Sequence, residues 1–140
     1  MTIPRLLSAW AALAIAMVGN GAFREIVLRP AVPGPMTDVL SALLGGAIIV
    51  GGTRFLLRPL QGRSARELGQ ASVFLVVLTV AFEFLFGHYV DQKSWTELIA
   101  NYAVWRGRLW PILLLLLGLT PFIWGRWLAP TPTPRASDQN

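Results

Sequence analysis

The charges of this 140-residue chain are gathered into a few short clusters, and long apolar windows run between them. Each window is roughly 17 to 20 residues, the length an α-helix needs to cross the hydrocarbon core of a bilayer. Hydrophobic residues make up 54% of the chain and charged residues only 14%, against about 25% charged in an ordinary soluble domain. There is room for about four spans and little else. The sequence therefore predicts an all-α fold: a four-transmembrane-helix bundle with a short interfacial amphipathic helix between spans three and four. It forms one domain over residues 1–129, followed by a Pro/Thr/Ser-rich tail, 130–140, expected to be disordered.

The first span covers about 6–28. Arg5 before an apolar run is also how a signal peptide begins. The run continues through Phe23 and Ile26–Leu28 with no small-x-small cleavage site after it, so a retained helix is expected. Pro30, Pro33, Gly34 and Pro35 make a stiff connection. Thr37 or Asp38 is placed to cap the second span, about 39–57. Its Gly45-Gly46 and Gly51-Gly52 pairs would let neighbouring helices approach closely, although a membrane helix also simply tolerates glycine. Ser64 and Glu67 have the spacing of a capping box, which starts the third span, about 68–87.

Ser94 and Glu97 form a second capping box. After it, Trp95, Leu98, Ile99 and Tyr102 recur at the spacing of one helix face. The stretch 95–106 is too short and too polar to span, so it reads as a helix at the membrane surface, ended by Gly107. The fourth span covers about 109–127, with Pro111 in its first turn and Gly118 and Pro121 as sources of bending. Tyr89, Trp95, Tyr102, Trp105 and Trp110 crowd one interface, together with Phe82, Phe84 and Phe86, and Trp124 and Trp127 stand at the other. Two aromatic belts account for this pattern. A groove for lipid or a hydrophobic ligand is the alternative.

Arginine and lysine counts set the orientation. Arg5, Arg54, Arg58, Arg63, Arg66, Arg126 and Arg135 fall on one side, and Arg24, Arg29, Lys93, Arg106 and Arg108 on the other. Four of the first group lie within or beside one short loop, the geometry that the positive-inside rule weighs most. Both termini are expected in the cytoplasm. The net charge of +5 fits basic loops beside spans, and nucleic acid is not expected as a partner.

One ionisable residue lies well inside a span. Glu83 sits in the otherwise apolar third window. A carboxylate there is costly, so it must face a partner or serve a purpose. At 1.5 Å per residue, Glu83 reaches the outer part of its helix, at the depth of Arg24, Glu25, His88, Arg106 and Arg108. These six residues form a candidate polar cluster. The expected pairing is Glu83 with Arg108 or Arg24, because a guanidinium can grip a carboxylate through two hydrogen bonds. Asn20 could extend the network, and Tyr89 and Tyr102 could donate to it. The cluster is then a clasp tying the outer helix ends together. Alternatively, Glu83 with His88 binds or relays a cation or proton.

The segment Phe82-Glu83-Phe84-Leu85-Phe86-Gly87-His88-Tyr89-Val90, with Ser94-Trp95-Thr96-Glu97-Leu98 and Gly107-Arg108-Leu109-Trp110, resembles an uncharacterised family of small bacterial four-helix membrane proteins. Arg24-Glu25 near the end of the first span, followed by a proline, is similar to that family too. The resemblance implies the architecture and brings no activity, substrate or cofactor. Small multidrug transporters share the size, but their acidic residue lies deeper in the first span than Glu25 does.

Catalytic signatures are missing. There is no cysteine, a single histidine and no phosphate-binding glycine loop, and Ser8, Ser41 and Ser72 lack a neighbouring histidine. No cofactor and no metal is expected. The leading expectation is a non-enzymatic scaffold or accessory subunit of the bacterial inner membrane. Its partners would be the lipid bilayer and a membrane protein or a second copy of itself. The alternative is a small oligomeric transporter or channel using Glu83 and nearby arginines.

Overall fold

The computed structural model describes residues 2–127, and these are helical with connecting turns. The expected tail at 130–140 lies outside the described residues. Helix α1 (Ile3–Phe23) runs through a wide π turn, Arg24–Leu28, into the short α2 (Arg29–Ala31). The helical run thus extends past the expected end at Leu28. In the π turn the Arg29 N–H reaches back to the Arg24 carbonyl, which widens the helix just before Pro30, a residue with no N–H to donate.

Helix α3 (Gly34–Leu56) starts earlier than expected. No side chain caps it, and Pro35 occupies its first turn, where a missing N–H costs nothing. Thr37, expected as a cap, is fully buried and donates its hydroxyl to the Val32 carbonyl at 3.0 Å. Helix α4 (Ala65–Tyr89) and helix α5 (Trp95–Ala100) each open with the expected capping box, from Ser64 with Glu67 and from Ser94 with Glu97. Helix α6 (Trp110–Phe122) contains Pro121 and runs into a second π turn, Ile123–Trp127.

Among the described residues, three helical runs are long and apolar enough to cross a membrane: Ile3–Ala31, Gly34–Leu56 and Ala65–Tyr89. The fourth, Trp110–Arg126, is shorter. Contacts place α3 against both α1 and α6, and α6 against α4, while α1 and α4 meet over a smaller area. Leu13, Ile49, Leu68, Leu75 and Leu117 are buried in the common core. Gly45, Gly46 and Gly52 of α3 lie at its seams. A methyl group on Gly52 would meet Leu13 of α1, and one on Gly46 would meet Leu113 and Leu116 of α6. Gly45 faces both neighbours, through Met17 and Asn20 on one side and Leu113 on the other, so the expected packing role holds there. Gly51 faces open space.

Candidate functional site

The C-terminal part of α4 carries Glu83, Phe84, Gly87 and His88. Glu83 and Gly87 are one turn apart on the same face. Helix α5 folds back on that face and runs antiparallel to it. Leu98, almost wholly buried, lies against Gly87, where a methyl group would come within 2.5 Å of its Cδ2. One turn further on, the Tyr102 hydroxyl donates to Glu83 Oε2. The same oxygen accepts the Trp110 indole N–H at 2.6 Å. Glu83 thus joins the third helix, the returning segment and the first residue of α6.

The aromatic rings reinforce the fold-back. Phe84 stacks on Trp95 and on Tyr102, with centroids 6.3 and 6.0 Å apart. His88 stacks on Trp95 at 4.0 Å, and its Nδ1 bonds the Lys93 carbonyl at 2.9 Å, which closes the turn between α4 and α5. Below the site, the Trp10 indole of α1 donates to Thr79 at 3.0 Å, and its ring meets Phe82 edge-on. Chain reversal is completed by Gly107, whose left-handed φ of 75° a side chain would strain.

The fold-back explains the shorter fourth helix. Helix α6 begins level with Glu83, six residues before α4 ends. That leaves about 9 Å of α4 beyond it, and the returning segment covers this length in its place.

Tyr102, a possible donor to the expected cluster, bonds Glu83 together with Trp110, and the expected pairing with Arg108 or Arg24 is not formed. Glu83 forms no ion pair with any described residue. Arg24 bonds its neighbour Glu25 at 3.1 Å, and Glu25 also takes a two-pronged bond from Arg29, at 2.7 and 2.9 Å. That Glu25 group is exposed and separate from Glu83. The side chains of Arg106 and Arg108 are exposed in the turn before α6. The physical reason is desolvation. Burying a guanidinium costs far more than burying the amphipathic ring of a tyrosine or tryptophan, whose single polar group can still reach the carboxylate. Asn20 points instead to α3 and donates to the Ser41 carbonyl at 3.0 Å. Tyr89 is exposed and packs edge-on against His88. Of the four expected interfacial anchors, Tyr102 and Trp110 turn inward to Glu83. Trp95 is stacked on Phe84 and His88 at the surface, and Trp105 is the most exposed at 84%.

Burial and the Glu83 carboxylate together push the Tyr102 phenol up to about 12, from an ordinary 10.0. The sign fixes a pH window. The protonated phenol's contribution is fully present below 10.0 and falls away as pH rises toward about 12. Tyr89 and Tyr102 are the chain's two tyrosines, so Tyr89→Phe leaves Tyr102 as the sole phenol. Its phenolate absorbance should then rise near pH 12 in the otherwise wild-type protein, and at lower pH once Glu83→Gln removes the negative charge. A single phenol titrating at the ordinary value in both proteins would show that Tyr102 is not held by Glu83.

Among the described residues, the helices and this site define an all-helical protein with three apolar runs of membrane-crossing length and a returning segment hooked onto a carboxylate within the third of them. No protein-family model, curated protein or solved structure matches the chain.

Proposed function

We propose that the chain is a four-span protein of the bacterial inner membrane that acts without catalysis, as a scaffold or accessory subunit whose outer aromatic face contacts lipid or another membrane protein. One observation carries the reading. The acidic residue within a span is taken up by the chain's own Tyr102 and Trp110 and holds the returning segment in place. A carboxylate committed to that task is a fastening and not a station on a conduction path. The segment it fastens displays Ile99, Val104 and Trp105 outward, apolar groups at headgroup depth that suit a lipid or helix surface.

The fourth span in this reading is α6 with its π turn, about 26 Å long, completed on the outer side by the returning segment. Arg54, Arg58, Arg63 and Arg66, close together in and beside one short connection, favour that side as cytoplasmic, with both termini. The bacterial setting follows from the resemblance of the Glu83–Trp110 region to small four-helix membrane proteins.

Proteoliposomes test the reading. Purified protein should carry no proton, metal-cation or lipophilic-cation flux above that of empty vesicles. A flux that Glu83→Gln abolishes without loss of fold would overturn the proposal and make Glu83 part of a transport pathway.

A further inference from the structure

The excess positive charge is confined to one end of the molecule. At the end carrying the Glu83 site, Arg24, Arg29, Lys93, Arg106 and Arg108 are matched by Glu25, Asp38, Glu83, Asp91 and Glu97. At the opposite end, among the described residues, Arg5, Arg54, Arg58, Arg63, Arg66 and Arg126 face a single acid, Glu67. Glu67 is already engaged by Ser64 and by Arg63 at 3.1 Å. Arg54, Arg58, Arg66 and Arg126 are exposed and have no acidic partner among the described residues.

These four belong to different elements that packing draws together. The Gly62 N–H donates to the Gly125 carbonyl at 3.1 Å and docks the loop after α3 onto the end of α6. Leu57 and Leu60 are buried beneath that loop. The Arg54 guanidinium lies 5.0 Å over the ring of Trp124, which is itself buried and bonded to Thr53 at 3.0 Å. The Arg58 guanidinium lies 5.1 Å over Phe55. Such stacking holds a guanidinium's position while leaving its edge N–H groups open. Orientation in the membrane needs only basic residues on the correct side. It does not need arginines fixed over rings, free of acids and gathered from several elements.

We infer that this arginine end is a binding surface for the phosphates of anionic phospholipids, with Arg54 and Arg58 held for two-pronged contacts and Arg66 and Arg126 widening the positive field. The arginines stand at the ends of the apolar helices, so the lipid headgroup layer is the first chemistry they meet. A phosphodiester with a net negative charge matches both the planar fork and the unbalanced charge. The inference rests on the membrane reading and extends it to a lipid class.

Native mass spectrometry of the full chain, released from detergent with equal phosphatidylglycerol and phosphatidylcholine, tests this. Wild type should retain phosphatidylglycerol roughly tenfold more than phosphatidylcholine. Arg58→Gln/Arg66→Gln/Arg126→Gln, which leaves the Arg54–Trp124 stack in place, should lose most of that preference with unchanged circular dichroism. Arg106→Gln/Arg108→Gln at the other end should keep it, and millimolar inorganic phosphate should not displace the lipid. Equal retention of both lipids overturns the inference, as does a preference that survives the triple substitution. A protein that binds these arginines in anionic-lipid-free nanodiscs, and is lost with the triple variant, would overturn it by assigning them an acidic protein partner. Failure of the chain to insert into vesicles of either lipid would instead remove the membrane reading beneath it.

Discussion

Glu83→Leu is expected to lower the stability of the detergent-solubilised protein by about 2–4 kcal/mol, because it orphans two half-buried donors at once. The Tyr102 hydroxyl and the Trp110 indole both end on Glu83 Oε2, and leucine offers neither an acceptor. Glu83→Gln keeps a carbonyl oxygen with two lone pairs, so it should cost about 1 kcal/mol. The coupling is the sharper measurement. Tyr102→Phe removes the donor that Glu83→Leu strands, so the double variant should be less destabilised than the sum of the singles by about 1 kcal/mol or more. Arg108→Gln provides the contrast. Its side chain is exposed and makes no ion pair with Glu83, so it should add to Glu83→Leu without coupling. Coupling to Arg108 and full additivity with Tyr102 would together restore the arginine clasp and refute the present one.

The difference between those two clasps shows where the sequence was legible. Helix positions could be read from the charge gaps, because clustered charges bound the long apolar runs whatever their packing. The capping boxes at Ser64 and Ser94 could be read because they are local chemistry within four residues. The partner of Glu83 could not be read by pairing formal charges, because desolvation favours neutral ring donors at that depth. The sequence suggests Tyr102 as a donor as well as an anchor but Trp110 only as an anchor, and it is the polar groups of both rings that meet Glu83. A usable signal was present in the spacing. Glu83 and Gly87 are four apart, as are Leu98 and Tyr102, and an antiparallel fold-back puts the small residue against the large one and the acceptor against the donor. The fold-back itself was not legible from composition, whereas the fourth helix, expected over 109–127, runs from Trp110 through the π turn to Trp127. The limits of α1 and α3 shifted for a related reason: prolines were read as stops, whereas Pro30 follows a π turn and Pro35 begins a helix.

Gly125→Ala should destabilise the protein by about 2–3 kcal/mol, an overpacking effect at the opposite end from Glu83. An alanine methyl would stand 2.5 Å from Leu68 Cδ2 and 3.1 Å from the Leu60 carbonyl oxygen. Neither neighbour can yield easily. Leu68 is fully buried in the core, and the Leu60 oxygen is fixed by the Arg63 N–H at 3.2 Å, within the turn that Gly62 docks onto Gly125 itself. Gly87→Ala is milder in principle, since only the Leu98 side chain opposes it. Gly51→Ala, with nothing within 4 Å, should be neutral or slightly stabilising through helix propensity. Thermal unfolding in one detergent ranks the three. Leu68→Ala alone should cost about 2–5 kcal/mol as a cavity, yet combined with Gly125→Ala it gives the new methyl somewhere to go, so the pair should cost less than the sum. Strict additivity would mean that the close approach at Gly125 is not what holds the loop. Because the 58–63 loop is fastened through Gly125, Gly125→Ala should also scatter Arg58 and Arg126 and weaken phosphatidylglycerol retention, while Gly51→Ala leaves it intact. A Gly125→Ala protein that loses stability but keeps full lipid preference would separate the packing of that loop from its charge.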